Sequence, residues 1–187
     1  MKIAAVVLAA GASRRLGRPK QTVVLGGETL VERAIRIASE ARLQPVIAVV
    51  RPEGDFGHSL QALGALVVLN DKADEGIAAS IRYGIHAARL LRATGVVLLT
   101  CDQIAVTAEH LQALCAESAK AAGSGYAGKV GIPAYFPAAD FDRLLQLTGD
   151  TGARDLLRHA RSVSTEALTF DIDTEADVAR ARSLLGD

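Results

Sequence analysis

Tryptophan is absent from this 187-residue chain, aromatic residues make up only 4% of it, and there is a single methionine. Few aromatic platforms means few surfaces on which unstacked bases can lie. The charge points the same way: 21 Lys and Arg balance 21 Asp and Glu, whereas a nucleic-acid binder carries a basic excess. The only two cysteines, Cys101 and Cys115, are too few and too widely spaced for a disulfide framework or a metal knuckle. A reducing cytoplasm is therefore the expected compartment. No apolar run approaches the ~20 residues that span a bilayer, so no membrane partner is expected. The nearest approach to a targeting segment, Lys2 followed by apolar residues to Ala10, runs into Arg14 and Arg15 rather than a cleavage region and reads as a core strand. Two phosphate-binding motifs are missing as well. There is no Gly-x-x-x-x-Gly-Lys-Ser/Thr loop, and Gly11 and Gly17 lack the Gly-x-Gly core of a dinucleotide fingerprint, which disfavours a nicotinamide-linked enzyme.

What is present is alternation. Continuous apolar runs at Ile3 to Leu8, Val46 to Val50, Ala65 to Leu69 and Val96 to Leu99 read as buried strands. Between them, helical periods cover Leu30 to Arg42, Phe56 to Leu63 and Ile77 to Leu91, and a further helix is marked by Leu111, Leu114, Cys115 and Ala119. This β-α-β-α order predicts a three-layer α/β/α domain over residues 1–187 with a mostly parallel sheet. After Gly123 the pattern changes. Gly125, Gly128 and Gly131 punctuate one or two less regular strands ending at Phe136, with an antiparallel edge. Phe141 to Leu147 and Ala153 to Arg158 read as helical, Val163 to Phe170 as a short strand or two, and Thr174 as the cap of a last helix, Glu175 to Leu185.

Ligands of open α/β sheets sit beyond the carboxyl ends of the strands. The first such loop, Leu8-Ala9-Ala10-Gly11-Ala12-Ser13-Arg14-Arg15-Leu16-Gly17-Arg18-Pro19-Lys20-Gln21, combines small residues with four cations. Backbone N–H groups and Arg and Lys side chains in one loop suit a polyphosphate. A second loop, Arg51-Pro52-Glu53-Gly54-Asp55, is turn chemistry without a signature, and a third opens at Asn70. The loop after Leu99 carries Asp102, a carboxylate able to hold a divalent cation beside phosphates. Asp173, in Asp171-Ile172-Asp173-Thr174, is a second candidate, with a helix cap on Thr174 and Asp177 as the plainer role. The four histidines, His58, His86, His110 and His159, have no metal-ligand spacing and are expected to be structural or on the surface.

These residues carry a resemblance. Leu8-Ala9-Ala10-Gly11 with Ser13, Arg15, Gly17, Pro19-Lys20-Gln21 and Leu25-Gly26-Gly27 resembles the MobA-like NTP transferases, and most closely the MocA-like molybdenum cofactor cytidylyltransferases. Asn70 with Glu75-Gly76, Ser80, Arg82 and Gly84 is similar to the family's second nucleotide-contacting segment. Cys101-Asp102-Gln103 resembles its Gly-Asp-Gln-Pro, Gly149-Asp150-Thr151-Gly152-Ala153-Arg154 its late Gly-Asp-x-Gly-Ala-Arg, and Asp171-Ile172-Asp173-Thr174 its C-terminal Asp-Ile-Asp-Thr.

The resemblance implies a nucleotide-diphospho-sugar transferase fold, GT-A-like and Rossmann-like. It implies a Mg²⁺-dependent nucleotidyltransferase, with Mn²⁺ as a substitute, that moves CMP from CTP to a molybdopterin-type phosphate. Leu8, Ala9, Ala10, Gly11, Ala12, Arg15, Lys20, Asn70, Gly76, Ser80 and Asp102 would meet the nucleotide. Arg15, Lys20 and Asp102 would carry catalysis, Asp102 and Asp173 would hold the metal, and Gly131, Pro133, Asp150 and Arg154 would meet the acceptor. The Leu-Ala-Ala-Gly form of the loop favours CTP over GTP, and a transient contact with a molybdoenzyme or its chaperone is implied too. Three positions depart from the pattern: Cys101 replaces its glycine, Ile104 its proline, and Ile132 the histidine of Gly-His-Pro near the acceptor. A sugar or polyol phosphate therefore stays open as acceptor, as does a catalytically silent nucleotide- or cofactor-binding protein. A flavodoxin-like module is disfavoured by the lack of aromatics around the loops.

Overall fold

The computed structural model describes residues 1–54 and 57–186. The first strand, β1 (Ile3–Ala9), is an interior strand, third in the order of a seven-stranded sheet. Its side chains alternate between two faces, and both faces are buried. Ala5, Val7 and Ala9 join one core while Ala4, Val6 and Leu8 join the other. A strand covered on both sides has no polar face, which is why β1, β4 (Val46–Val50) and β6 (Gly95–Thr100) read as unbroken apolar runs.

Two short strands, β2 (Val24–Leu25) and β3 (Glu28–Thr29), pair as a separate hairpin that the hydrophobic pattern does not reveal, since two residues carry no period. Helix α1 (Leu30–Glu40) starts on a reciprocal cap between Thr29 and Glu32. The next helix, α2, is Gly57–Ala62; Phe56, the expected start of this helix, and Asp55 lie outside the described residues. Strand β5 (Leu66–Leu69) and helix α3 (Ile77–Leu90) follow. Helix α4 (Ala108–Leu114) stops at Cys115, short of the expected Ala119.

The sheet order is β5-β4-β1-β6-β8-β7-β9, with β7 at Ala122–Tyr126, β8 at Lys129–Pro137 and β9 at Arg161–Ser164. The strands from β5 to β6 are parallel, β8 runs antiparallel to both β6 and β7, and β9 is parallel to β7. The antiparallel edge expected after Gly123 is thus a hairpin plus a returning strand. Helix α5 (Phe141–Leu145) is shorter than expected, and Ala153–Leu157 forms 3₁₀ rather than α turns. Only β9 and a 3₁₀ turn at Glu166–Thr169 occupy the region of the expected strands before Phe170. The last helix, α6 (Glu175–Leu185), is capped by Thr174 and Asp177.

Helices α1, α4 and α6 contribute Ile35, Leu111 and Val178 to one core, and α3 and α5 contribute Ile81 and Leu144 to the other, giving three layers. Gly84 lets α3 lie close on β1, because a Cβ there would stand 2.2 Å from a methyl of Val6. No helix of the described residues is long and apolar enough to cross a membrane. The chain leaves β1 toward β4 on one side while β6 lies on the other, so a crevice opens beyond the carboxyl ends of β1 and β6.

Candidate active site

A cavity of about 420 Å³ fills that crevice. Its wall is the loop after β1, from Leu8 to Arg14, joined by Lys20, Gly76, Ser80, Asp102 and Asp150. The loop folds back at Ser13, whose carbonyl accepts from the N–H groups of Leu16 and Gly17. The Ser13 hydroxyl in turn accepts from the backbone N–H of Lys20 at 2.9 Å, which brings the far end of the loop to its start.

Lys20 opens a 3₁₀ turn and points its ammonium between two carboxylates. Nζ donates to Asp102 Oδ2 and to Asp173 Oδ1, each at 2.8 Å. All three side chains are largely shielded, at 17% exposure for Lys20 and Asp102 and 27% for Asp173. Burial alone lowers the affinity of the ammonium for its proton. The negative charge of Asp102, with hydrogen bonds to both carboxylates, outweighs that and holds the Lys20 pKa above its ordinary value.

Asp173 reaches the site because the Ile172 N–H bonds to the Asp102 carbonyl at 3.1 Å, and because its own N–H donates to the Asp177 cap of α6. The cap formed by Thr174 and Asp177 thus leaves the Asp173 side chain turned toward Lys20. Asp171 lies beside them. Burial, then the charges of Asp102 and Asp173, push its carboxyl up to about 6. One of its oxygens is buried without a hydrogen-bond partner.

The loop's cations are spread more than their clustering in sequence suggests. Arg15 is 73% exposed and pairs with Asp173 at 2.7 Å, while its neighbour Arg14 lines the cavity. Arg18 grips Glu175 with both ends of its fork, fastening the loop to α6. Asn70 is fully buried and does not line the cavity; it donates to the Ser80 hydroxyl at 3.0 Å and accepts from the Lys72 N–H. Its role is to hold Ser80, which does line the cavity. Arg51, in the loop that carries no sequence signature, also lines the cavity. Its Nε donates to the Ala10 carbonyl at 2.9 Å and its Nη2 to Asp74 at 2.7 Å, closing one side of the cavity. No spacing rule links Arg51 to Ala10, because the bond joins two different strand ends.

A second cavity of about 400 Å³ adjoins the first, sharing Leu8, Ile77 and Asp150 with it. Its other lining includes Ile81, Tyr126, Gly131, Ile132 and residues 151–155. Gly131, Asp150 and Arg154 thus come together, and Asp150 and Arg154 make no ion pair with each other. Pro133 stays outside: its carbonyl accepts from the buried Ser124 hydroxyl at 2.6 Å. That hydroxyl is 2.7 Å from His110 Nε2, and burial lowers the affinity of this imidazole for a proton. The Tyr126 hydroxyl donates to the Ile132 carbonyl at 3.1 Å, fixing the rim where the resemblance leads one to expect histidine. Cys101 is buried at the mouth of β6 and its thiol is pushed up to about 12 by burial, so it is no nucleophile at neutral pH.

Among the described residues, no group of three or more His, Cys, Asp or Glu is gathered to hold a metal. The pair Asp102 and Asp173 nonetheless converges on a single cation position, the one taken by Lys20 Nζ. Two hard anionic oxygens with open neighbouring space suit Mg²⁺ or Mn²⁺, which keep most of their shell for water and phosphate.

The purine catabolism protein PucB of Bacillus subtilis is 35% identical over 166 residues, 82% of this chain and 79% of that protein. A probable molybdenum cofactor guanylyltransferase of Opitutus terrae is 35% identical over 57% of this chain and 50% of its own length. Among solved structures, a nucleotidyl transferase from Methanothermobacter superposes with a TM-score of 0.81 at 25% identity, covering 98% of this chain and 97% of that one. Rv0371c of Mycobacterium tuberculosis, solved as a complex with manganese, superposes with a TM-score of 0.76 at 28% identity, over 98% of this chain and 99% of that one. The three-layer architecture is the nucleotide-diphospho-sugar transferase fold. The family model described as the MobA-like NTP transferase domain matches residues 5–165, and the chain belongs to that family.

Proposed function

We propose that the protein is a metal-dependent nucleotidyltransferase that moves CMP from CTP to the phosphate of a molybdopterin-type acceptor and releases pyrophosphate. The observation that carries this reading is the meeting of Lys20, Asp102 and Asp173 at one end of a cavity walled by the backbone of residues 8–14. In the transfer, an acceptor phosphate oxygen forms a bond to the α-phosphorus while the bond from that phosphorus to the β-phosphate bridging oxygen breaks. The acceptor phosphate is already anionic at neutral pH, so no side chain has to remove a proton. The protein has to align the two partners and neutralise charge.

Lys20 supplies a permanent positive charge in a shielded position, Arg14 supplies a second at the cavity wall, and Arg15 holds Asp173. Asp102 and Asp173 would hold the divalent ion once Lys20 turns its ammonium from them toward the nucleotide phosphates, and the ion would offset the charge developing there. Leu8, Ala9, Ala10, Gly11, Ala12, Gly76 and Ser80 would bind the nucleotide, with Asn70 acting through Ser80. The second cavity, with Gly131, Asp150 and Arg154 in its lining, would take the acceptor.

CTP is favoured over GTP because the loop has the form Leu8-Ala9-Ala10-Gly11, which resembles that of the cytidylyltransferases. The name of the Opitutus relative supports GTP instead, so the nucleotides are compared directly. The Ile132 side chain lining the second cavity favours an acceptor with an apolar face there over a polyol phosphate. Delivery of the product to a molybdoenzyme or its chaperone follows from this reading.

The test is thermal denaturation with CTP, GTP, UTP and ATP, each with and without Mg²⁺ or Mn²⁺. CTP with metal is expected to raise the midpoint most. No stabilisation by any nucleotide would sink the reading, and a larger effect of GTP would reverse the nucleotide choice.

A further inference from the structure

Between the two cavities the chain makes a connection that neither cavity requires by itself. The turn Ala73–Glu75 and Gly76 form one lip of the donor cavity and lead straight into α3. The loop from Leu147 to Gly152 separates the two cavities, with Asp150 lining both. The loop docks on the first turn of α3: the Ala78 N–H donates to the Gly149 carbonyl at 3.1 Å. Gly76, at φ +103°, permits this contact, since a Cβ there would stand 2.4 Å from the Gly149 carbonyl oxygen and 2.6 Å from Asp150 Oδ1.

Arg82 fastens both pieces at once. Its Nη1 donates to the Leu147 carbonyl at 2.7 Å and its Nη2 to Glu75 at 3.0 Å. It lines neither cavity. One rigid fork, standing on a helix, therefore spans the donor lip on one side and the root of the dividing loop on the other. A lysine's compact ammonium lacks the two separate nitrogens of this planar fork.

We propose that Arg82 is a positioning residue that couples the two cavities, so that filling the first with nucleotide orders the second through Glu75, Arg82 and Leu147. This rests on the donor reading given under Proposed function. Nucleotide contact at the lip would fix the turn Ala73–Glu75. The Glu75–Arg82 pair would then hold the guanidinium against Leu147 and keep the dividing loop docked on α3. A nucleotide bound first would leave the acceptor side already ordered, which lowers the entropic cost of the second binding step.

Hydrogen exchange on the full chain tests this, with CTP and Mn²⁺ as the probe. Residues 153–155 line the second cavity and not the first, so the segment 153–157 reports coupling without direct contact. In the unaltered protein, nucleotide is expected to slow exchange in 73–80 and also in 153–157. In Arg82→Ala and in Arg82→Lys, nucleotide should still slow exchange in 73–80 but leave 153–157 unchanged. Glu75→Gln, at a partly exposed position, should give the same loss without threatening the fold, and should weaken nucleotide binding about fivefold, as expected for one exposed charge pair. Combining Glu75→Gln with Arg82→Ala should cost no more affinity than Arg82→Ala alone, since the two act through one another. An unchanged response of 153–157 in Glu75→Gln, or no response in the unaltered protein despite nucleotide binding, overturns the coupling alone. Failure of the unaltered protein to bind any nucleotide overturns the donor reading and the coupling with it.

Discussion

Replacing Lys20 by methionine separates its electrostatic role in the fold from its proposed role in transfer. The side chain keeps its length and apolar stem but loses the ammonium that stands 2.8 Å from both Asp102 and Asp173. The two carboxylate oxygens on either side of that position cannot be farther apart than about 5.6 Å, and at that distance an effective dielectric near 20 gives a repulsion of ~3 kcal/mol. For a chain of this size that corresponds to a fall in melting temperature of about 6–12 °C in metal-free buffer at neutral pH.

A divalent cation can take the vacated position. Mn²⁺ should therefore restore the variant's melting temperature and stabilise it more than it stabilises the unaltered protein. Turnover should nevertheless fall by about 10²–10³, the usual consequence of losing one preorganised charge. Paired melts in EDTA and in Mn²⁺, with pyrophosphate release measured on the same samples, provide the readout. A variant as stable as the parent without metal, or one that gains nothing extra from Mn²⁺, would refute the picture of two carboxylates sharing one cation.

Three further outcomes follow from the geometry. Asp171 has its carboxyl raised to about 6, so the folded state holds its proton more tightly than the unfolded chain, and stability falls as pH rises from about 4 to 6. Asp171→Asn should thus stabilise the metal-free protein by about 1–3 kcal/mol at pH 7.5 and by little at pH 3.5, read from urea midpoints; equal effects at both pH values would contradict this. Gly76→Ala places a methyl against the Gly149 carbonyl and Asp150, so it should loosen the dividing loop; faster exchange of the Ala78 amide and weaker nucleotide binding by calorimetry are expected, and unchanged binding would count against the contact. Asn70→Ala leaves the Lys72 N–H and the Ser80 hydroxyl without their buried partner and should cost about 1–3 kcal/mol in denaturant melts, with nucleotide affinity reduced through Ser80; a loss of affinity with no loss of stability would instead indicate direct contact.

The central strands were legible in the sequence because burial on both faces leaves only apolar residues in β1, β4 and β6. The helices were legible where one stripe of a 3.6 period is buried, as in α1 and α3. The strand β7, Ala-Gly-Ser-Gly-Tyr, was legible only as part of one or two irregular strands punctuated by glycines. Its composition disfavours a strand, and it forms because β8 and β9 flank it and Ser124 is tied to Pro133 and His110. The site divides in the same way. Lys20 and Asp102 stand where loops follow apolar strands, and so could be named in advance. Arg51 and Arg82 act through backbone carbonyls of Ala10 and Leu147, contacts between distant segments that no local pattern encodes. Asn70 and Pro133 carry the right residue types at the right places in the chain, yet packing turns both away from the cavities they were expected to line.

The most direct test of the account is a transfer assay with CTP labelled at the α-phosphate, Mn²⁺ or Mg²⁺, and molybdopterin as acceptor. The unaltered protein should move the label to the acceptor with one pyrophosphate released per transfer, only when metal is present, and Lys20→Met and Asp102→Ala should slow the transfer by about 10²–10³ while still folding in Mn²⁺. Transfer at the parent's rate in both variants, or transfer without a divalent metal, would contradict the assignment of Lys20, Asp102 and Asp173 as the site of the reaction.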